Sequence, residues 1–302
     1  MDKHRRKFIK QSTLVGSGII AGGSMLSLLS CGEGQDKVEE VDFEYQPFGI
    51  QLWSVRDDMA KDPKGTLKKL ASYGYQQIES FDGPDGIFWG MEPRDFSAYI
   101  EDLGMKLIAT HANIFEDFET KAKQASEAGI LHFICPYIGQ KDTIDEYIEM
   151  AALFNEYGGV CFDLGMYFGY HNHDYSFKPI DGRYPQDILM EYSTDDVVFE
   201  MDYYWVHTAQ QRPMHWLQKY LYKWHLVHIK DRLDLPFTET DASTLLGEGV
   251  IDYDPLFERR DPLGVNYLIV EQERFDGVTP MEAARLNAHY MKHKLRVDKA
   301  EM

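Results

Sequence analysis

The sequence lacks the local signatures of several common protein classes. Only three of its 302 residues are cysteines, Cys31, Cys135 and Cys161, and none forms a CxxC pair. This spacing excludes a cysteine-based zinc motif and a disulfide-rich scaffold, and the apolar surroundings of Cys135 and Cys161 predict buried, reduced side chains. No GxGxxG follows the first predicted strand, and no glycine-rich phosphate loop is evident. A dinucleotide-binding enzyme is therefore disfavoured.

Basic residues are also scarce. The chain has 31 Lys and Arg against 50 Asp and Glu, a net charge of -19. The first 30 residues carry +4, so the remainder carries -23. An acidic body of this kind repels phosphate backbones, which predicts that nucleic acid is not a partner.

The basic N-terminus is typical of an export signal. Arg5-Arg6-Lys7-Phe8 resembles a twin-arginine motif, and the apolar run at 14–29 is too short and too rich in Gly and Ser for a membrane-spanning helix. Leu28-Leu29-Ser30-Cys31 resembles a bacterial lipobox, the lipoprotein processing site. We therefore expect a signal peptide at 1–31, an acidic linker at 32–46 and a periplasmic or lipid-anchored protein whose only membrane contact is a lipid on Cys31. A disordered basic tail is the alternative.

From Phe48 onward, short apolar runs alternate with helical patterns. Strands are predicted at 48–53, 75–81, 105–110, 130–135, 165–171, 197–201, 225–230 and 266–270. Glycines end several intervening helices, and Gly158-Gly159 is expected to end a helix at 143–157. Eight such units predict one (β/α)8 TIM barrel over 47–302, with a doubly wound open sheet as the alternative.

Tyr170-His171-Asn172-His173 closes the fifth predicted strand. Side chains at i and i+2 of a strand point to the same face, so His171 and His173 should project together. In a (β/α)8 barrel the active site lies at the carboxyl ends of the strands. The histidine pair therefore marks a candidate site.

Other strands also end in polar side chains. Strands one to three and six to eight offer Gln51, Trp53, Glu79, His111, Glu200, Asp202, His228, Lys230, Glu271 and Glu273. Strands five to eight thus bring His, Asp, His and Glu to one mouth. Imidazole and carboxylate together suit Mn²⁺, Fe²⁺, Co²⁺ or Zn²⁺. An unmetallated ring of salt bridges and hydrogen bonds is the alternative.

Several motifs together resemble one family of enzymes. They are GIQLWS at 49–54, YHNHD at 170–174, EMD at 200–202 followed by Trp205, HIKD at 228–231, LGEG at 246–249 and VEQE at 270–273. From residue 47 to about 295 the chain resembles the sugar phosphate isomerase/epimerase family of xylose isomerase-like barrels. Its members bind one divalent metal through Glu, Asp, His and Glu on strands five to eight.

The resemblance implies a ligand set with one departure. Asp202, His228 and Glu271 match the family positions, whereas the strand-five Glu falls at or near His171. His171 or His173 would supply that ligand instead. Family epimerases shuttle a proton between two metal-bound glutamates, of which only Glu271 remains here.

The expected function is a metal-dependent sugar isomerase or epimerase that abstracts a proton next to the carbonyl of a sugar or keto-sugar. The missing carboxylate leaves open a lyase or hydratase acting on 3-keto-glycosides, or a sugar-binding barrel without catalysis. The three-zinc abasic-site endonucleases of the same superfamily are disfavoured by the acidic body, the export signal and the absence of their additional histidine motif. The expected partner is a small carbohydrate, and an oligomer is left open.

Individual roles follow from this hypothesis. Glu271 is the candidate base, and Lys230 would donate a proton or hold an oxyanion, unless it pairs with Glu79 or Glu273 in a salt bridge. Trp53, Glu79 and His111 are the candidate substrate-binding residues, although a core position for Trp53 fits equally well. Asp231 is expected to orient His228 or its neighbours.

Overall fold

The computed structural model describes residues 44–297. The predicted signal peptide, the predicted lipidation site at Cys31 and most of the predicted linker lie outside this range. At its start, the Gln46 amide donates to the Leu295 carbonyl at 2.9 Å, which joins the two ends of the described chain. No helix within 44–297 is both long and apolar enough to cross a membrane.

Eight parallel strands close into a barrel, as predicted. In spatial order they are β1 (Gly49–Gln51), β10 (Tyr267–Val270), β7 (Trp224–Ile229), β6 (Val197–Asp202), β5 (Tyr167–His171), β4 (His132–Cys135), β3 (Lys106–His111) and β2 (Gln77–Phe81). A two-stranded sheet, β8 (Asp231–Arg232) and β9 (Ser243–Thr244), lies in the long segment between β7 and β10. The fold is a single (β/α)8 TIM barrel.

Helices connect the strands. They are α1 (Arg56–Lys61), α2 (Pro63–Tyr73), α3 (Pro93–Asp102), α4 (Phe118–Glu127), α5 (Ile144–Asp163), α6 (Pro185–Tyr192), α7 (Tyr203–Thr208), α8 (Pro213–Lys219), α9 (Asp254–Phe257), α10 (Arg260–Leu263) and α11 (Pro280–Lys294). Two 3-10 turns, Leu52–Val55 and Asp174–Phe177, follow β1 and β5 at the barrel mouth.

The prediction that Gly158-Gly159 ends its helix is wrong. Helix α5 continues through both glycines to Asp163, and the left-handed residue is Gly165 at φ 78°. A Cβ atom on Gly158 would lie 3.1 Å from Val197 Cγ2, so this glycine permits close packing of the helix on β6. A glycine near the end of a helical segment can either cap the helix or let it pack closely on a strand, and the sequence does not distinguish the two.

The barrel interior has three layers, because alternate residues of each strand point inward. The lowest layer contains His132 and Tyr167. The middle layer is apolar and consists of Ile108, Ala109, Ile134, Leu226 and Ile269. The upper layer contains the polar side chains of the mouth, so strand β5 places Tyr167, Gly169 and His171 in successive layers.

Asp231 organises the segment that follows β7. Its carboxylate accepts hydrogen bonds from the amides of Arg232, Gly247, Gly249 and Ile251 at 2.8–3.1 Å. A Cβ atom on Gly249 would lie 2.2 Å from Asp231 Oδ1, so only glycine fits there. Asp231 therefore holds the glycine-rich turn that follows β7, and its predicted orienting of His228 or its neighbours is seen here as bonds to Arg232 and to the turn.

Candidate metal centre

Four neighbouring strands bring one potential ligand each to the mouth. His171 ends β5, Asp202 ends β6, His228 lies on β7 and Glu271 follows β10. One ligand atom from each lies within 4.8 Å of the other three, and all four side chains are buried. We call these four residues the outer cluster.

The outer cluster has unused lone pairs that suit a cation. Both ring nitrogens of His171 have no well-aligned hydrogen-bond partner, and Asp202 Oδ2 lies 3.5 Å from His171 Nε2 and 3.3 Å from Lys230 Nζ. Burial lowers the pKa of His171, aided by the repulsion of His228, so the ring is available as a neutral ligand. The other Asp202 oxygen is fixed by the Trp205 amide at 3.0 Å. The residues present therefore fit a divalent metal ion.

His173 lies outside the outer cluster. Its ring stacks on Tyr175 with the centroids 5.7 Å apart and lies 5.4 Å from the ring of Trp205. Burial, followed by the repulsion of His171, lowers the pKa of His173 well below its usual value. Of the two histidines that the sequence left open, the geometry brings His171 to the other ligands, whereas His173 contacts the aromatic residues beside them.

Lys230 balances the carboxylates of the mouth. Its fully buried Nζ lies 3.1 Å from Glu271 Oε2, 3.0 Å from Glu273 Oε2 and 3.3 Å from Asp202 Oδ2. Burial alone would lower the pKa of Lys230, but Asp202, Glu271 and Glu273 raise it well above its usual value. Lys230 is therefore an ammonium, and the salt bridge with Glu273 that the sequence offered is present.

Glu271 is a carboxylate despite its burial. Burial would raise its pKa, but Lys230 and His228 hold the pKa well below its usual value. Its Oε2 also accepts from His228 Nδ1 at 3.2 Å. A desolvated carboxylate beside a fixed ammonium can accept a proton while its neighbour donates one.

Glu79 and His111, two predicted substrate-binding residues, lie beneath the outer cluster. Glu79 is fully buried and accepts from His228 Nε2 at 2.7 Å and from Gln51 Nε2 at 2.9 Å. His111 Nε2 lies 2.6 Å from Glu200 Oε2. Their contact with substrate stays a prediction. Glu200 was given no role from the sequence, although its position two residues before Asp202 on β6 places it on the same face.

Trp53 lies at the rim of the mouth. It is 40% exposed, so the alternative core position is wrong. Arg56 lies over its ring at 4.5 Å, and Phe81 meets it edge-on at 5.1 Å. A supported, exposed indole is the kind of surface on which a sugar ring packs, and the predicted substrate contact remains to be tested.

Comparisons with known proteins show which proteins this chain is similar to. No family model matches the chain. It is 29% identical over 212 residues to an inosose dehydratase from Serratia proteamaculans, an alignment that covers 64% of this chain and 67% of the relative. Inosose dehydratases from Erwinia tasmaniensis and Histophilus somni align over about half of their lengths, 47% and 55%, at 30% and 28% identity.

Solved structures share the fold. A sugar phosphate isomerase/epimerase from Parabacteroides distasonis superposes with a TM-score of 0.71 at 25% identity and covers 81% of this chain and 97% of that protein. The IOLI protein, solved with a bound zinc atom, superposes with a TM-score of 0.68 at 15% identity over 83% of this chain and 98% of its own. The chain is thus similar in sequence to inosose dehydratases and in structure to xylose isomerase-like barrels.

Proposed function

We propose that this protein is a divalent-metal-dependent lyase that removes water from a keto-sugar or a cyclic keto-polyol of the inosose type. The observation that carries the proposal is the 3.1 Å separation between Glu271 Oε2 and Lys230 Nζ. A carboxylate and an ammonium on the same side of a site suit removal of a proton and departure of a hydroxide from one face of the substrate.

The residues of the outer cluster would hold the cation. His171, Asp202, His228 and Glu271 supply two imidazoles and two carboxylates, a set suited to Mn²⁺, Fe²⁺, Co²⁺ or Zn²⁺. When bound, the cation would polarise the ketone and stabilise negative charge on its oxygen.

The protein groups account for the proton transfers. The Glu271 carboxylate takes the proton from the carbon next to the ketone, which leaves an enolate. The enolate then expels the hydroxyl group on the next carbon, and Lys230 gives a proton to the departing oxygen. Atoms balance as substrate to unsaturated ketone plus water, and transfer of the proton from Glu271 back to Lys230 across 3.1 Å restores both groups.

Isomerisation or epimerisation is the second candidate, favoured by the structural likeness to the Parabacteroides distasonis protein. Epimerisation needs proton-transfer groups on both faces of one carbon. The two carboxylates of the outer cluster, Asp202 and Glu271, both lie beside the same Lys230 ammonium, at 3.3 and 3.1 Å, rather than on opposite sides of it. The arrangement supports elimination better than epimerisation.

The decisive assay follows an inosose, a 3-keto-glucoside and a ketohexose by mass spectrometry in heavy water with the metal-loaded protein. We expect loss of one water from a keto substrate, and a kcat at least about 100-fold lower for Glu271→Gln. Glu258→Gln, which changes an exposed glutamate, is the matched control and should keep full activity. Deuterium incorporation without loss of water would assign the isomerase reaction instead, and binding without either change would assign a sugar-binding protein.

A further inference from the structure

Beneath the outer cluster lies a second group of four potential ligands, Glu79, His111, Glu200 and His228, which we call the inner cluster. One ligand atom from each lies within 4.8 Å of the other three. The residues come from β2, β3, β6 and β7, which are not consecutive around the barrel. Only their inward direction and shared height in the barrel bring them together.

The donor atoms of the inner cluster alternate around a common centre. His111 Nε2 lies 2.6 Å from Glu200 Oε2 and 3.5 Å from Glu79 Oε1. His228 Nε2 lies 2.7 Å from Glu79 Oε2 and 3.2 Å from Glu200 Oε1. Each carboxylate therefore has one oxygen near His111 Nε2 and the other near His228 Nε2. A tetrahedral zinc ion with bonds of about 2.0–2.1 Å needs ligand atoms about 3.3 Å apart, which lies within the observed range.

Two buried oxygens of the inner cluster make no well-aligned hydrogen bond, because the imidazole Nε2 that each one faces already makes a shorter bond to the other carboxylate. They are Glu79 Oε1 and Glu200 Oε1, on side chains that are fully buried. A buried carboxylate oxygen without a well-aligned partner lowers the stability of the folded protein, and more so when the group is charged. A cation at the centre would bind both oxygens at once. The two imidazoles cannot do so, because each has a single Nε2–H that already bonds another carboxylate oxygen.

We propose that the inner cluster is a second divalent-cation site, held by Glu79, His111, Glu200 and His228 beneath the substrate-facing one. His228 would serve both sites, because its Nε2 faces the inner cluster and its Nδ1 faces Glu271 in the outer cluster. With both cations bound, the ring would give up both of its protons and act as an imidazolate between them. Each site has three further ligands of its own, so the outer site can be filled when the inner one is lost.

The number of protein ligands in the inner cluster suits a structural role. Glu79, Glu200 and His228 are fully buried, and with His111 they supply four protein ligands to one centre. Four protein ligands without an open position are characteristic of structural zinc sites, whereas catalytic sites keep a position for water or substrate. The inner cation would join four strands of the barrel and fix the ring of His228 for the outer site.

Metal content tests the proposal without any assay of activity. The purified chain is loaded with Zn²⁺ or Mn²⁺, freed of loosely bound metal and analysed by mass spectrometry of the elements. We expect two cations per chain for the native protein and one for His111→Asn. His215→Asn, which changes an exposed histidine on α8, should keep two.

Anomalous scattering from Mn²⁺-loaded crystals of the native protein gives a second measurement that does not depend on the folding of any variant. Two peaks are expected, one bounded by Glu79, His111 and Glu200 and one by His171, Asp202 and Glu271. A single peak at the outer cluster with one cation per chain would overturn the proposal and leave the inner cluster as a hydrogen-bonded network only. Either result leaves the proposed elimination to be tested by its own assay.

Discussion

The two ends of the barrel use buried histidines in opposite ways. At the lower end, His132 contacts His225 at 3.3 Å and stacks on Tyr167. Burial and the neighbouring His225 lower the pKa of His132 to about 4. At the mouth, burial would also lower the pKa of His228, but Glu200, Glu271 and Glu79 raise it well above its usual value.

The difference between the two ends lies in their carboxylates. His132 is neutral, its ring contacts the rings of His225 and Tyr167, and it packs at the lower end as a core side chain does. His228 lies between carboxylates on both sides and takes part in charge balance and ligand geometry. A buried histidine therefore indicates a functional site only when the same layer supplies carboxylates.

The apolar middle layer keeps the two environments separate. Ile108, Ile134, Leu226 and Ile269 lie between the lower histidines and the mouth and exclude water from the interior. The charges at the mouth then act in a medium of low dielectric constant, which strengthens their interactions. Three substitutions test this comparison.

Lys230→Met should have the largest effect, because it removes the ammonium that balances Asp202, Glu271 and Glu273. In chelated protein we expect a loss of about 3–5 kcal/mol in the free energy of unfolding, as for a broken buried ion pair. Added metal should recover much of the loss, since a cation can balance the same carboxylates.

Urea unfolding with and without chelator measures both quantities. Lys223→Met, which removes a surface pair with the exposed Asp195, is the control and should cost less than about 1 kcal/mol. If Lys230→Met and Lys223→Met lose the same free energy of unfolding, the buried lysine at the mouth contributes no more to stability than a surface lysine.

His132→Phe should remove a pH dependence that originates at the lower end. The pKa of His132 in the folded protein, about 4, lies below the usual histidine value of 6.5, so the unfolded state binds the proton first as the pH falls. The native protein therefore loses stability as the pH falls from about 6.5 to about 4, by up to about 3 kcal/mol from this group. Because Phe cannot bind a proton, the His132→Phe variant should not lose this part of its stability as the pH falls.

The measurement is the free energy of unfolding at pH 7, 6, 5 and 4.5 for both proteins, with chelator present so that metal release does not contribute. The difference between variant and native protein should grow in favour of Phe as the pH falls. A constant difference would mean that His132 is not held neutral by burial.

Gly169→Ala should have the smallest effect and tests the packing of the middle layer. A Cβ atom there would lie 2.5 Å from Ile134 Cδ1 and 3.3 Å from Val198 Cγ2. Overpacking of this kind costs about 1–3 kcal/mol. Thermal unfolding should therefore occur at a lower temperature.

Gly159→Ala is the matched control for that prediction. No atom lies within 4 Å of its added Cβ, and the residue is inside helix α5. Alanine should stabilise the helix by about 0.5–1 kcal/mol. If Gly169→Ala keeps or gains stability as Gly159→Ala does, the middle layer is less tightly packed than its distances indicate.

Much of the mouth could be predicted from local pattern. His171, Asp202, His228 and Glu271 each stand at the end of an apolar run, and parallel strands place such ends at one edge. The inner cluster could not be predicted in this way, because Glu79 and His111 come from strands remote in sequence from Glu200. Their shared height depends on the register of the closed barrel, including the shifts between β2 and β3 and between β6 and β7.

Two assignments were ambiguous because one sequence pattern serves two structures. Gly158-Gly159 has the pattern of a helix end but occurs within α5, where Gly158 lies against Val197. His171 and His173 are two residues apart, so both side chains would point to the same face if the strand included both residues. The strand ends at His171, so His173 turns toward Tyr175 and Trp205 and leaves the ligand cluster.

The sequence by itself determined the strand–helix alternation, the closure into eight units and the collection of carboxylates and imidazoles at one end, because these follow from the period of the apolar residues. The tertiary structure alone decided which side chains share a centre. Closure of the barrel brings β2 and β3 across from β6 and β7, and burial then sets whether each histidine is neutral or charged. Distances across the closed barrel and the dielectric environment of buried groups are properties of the fold, so they cannot be derived from any single segment of the sequence.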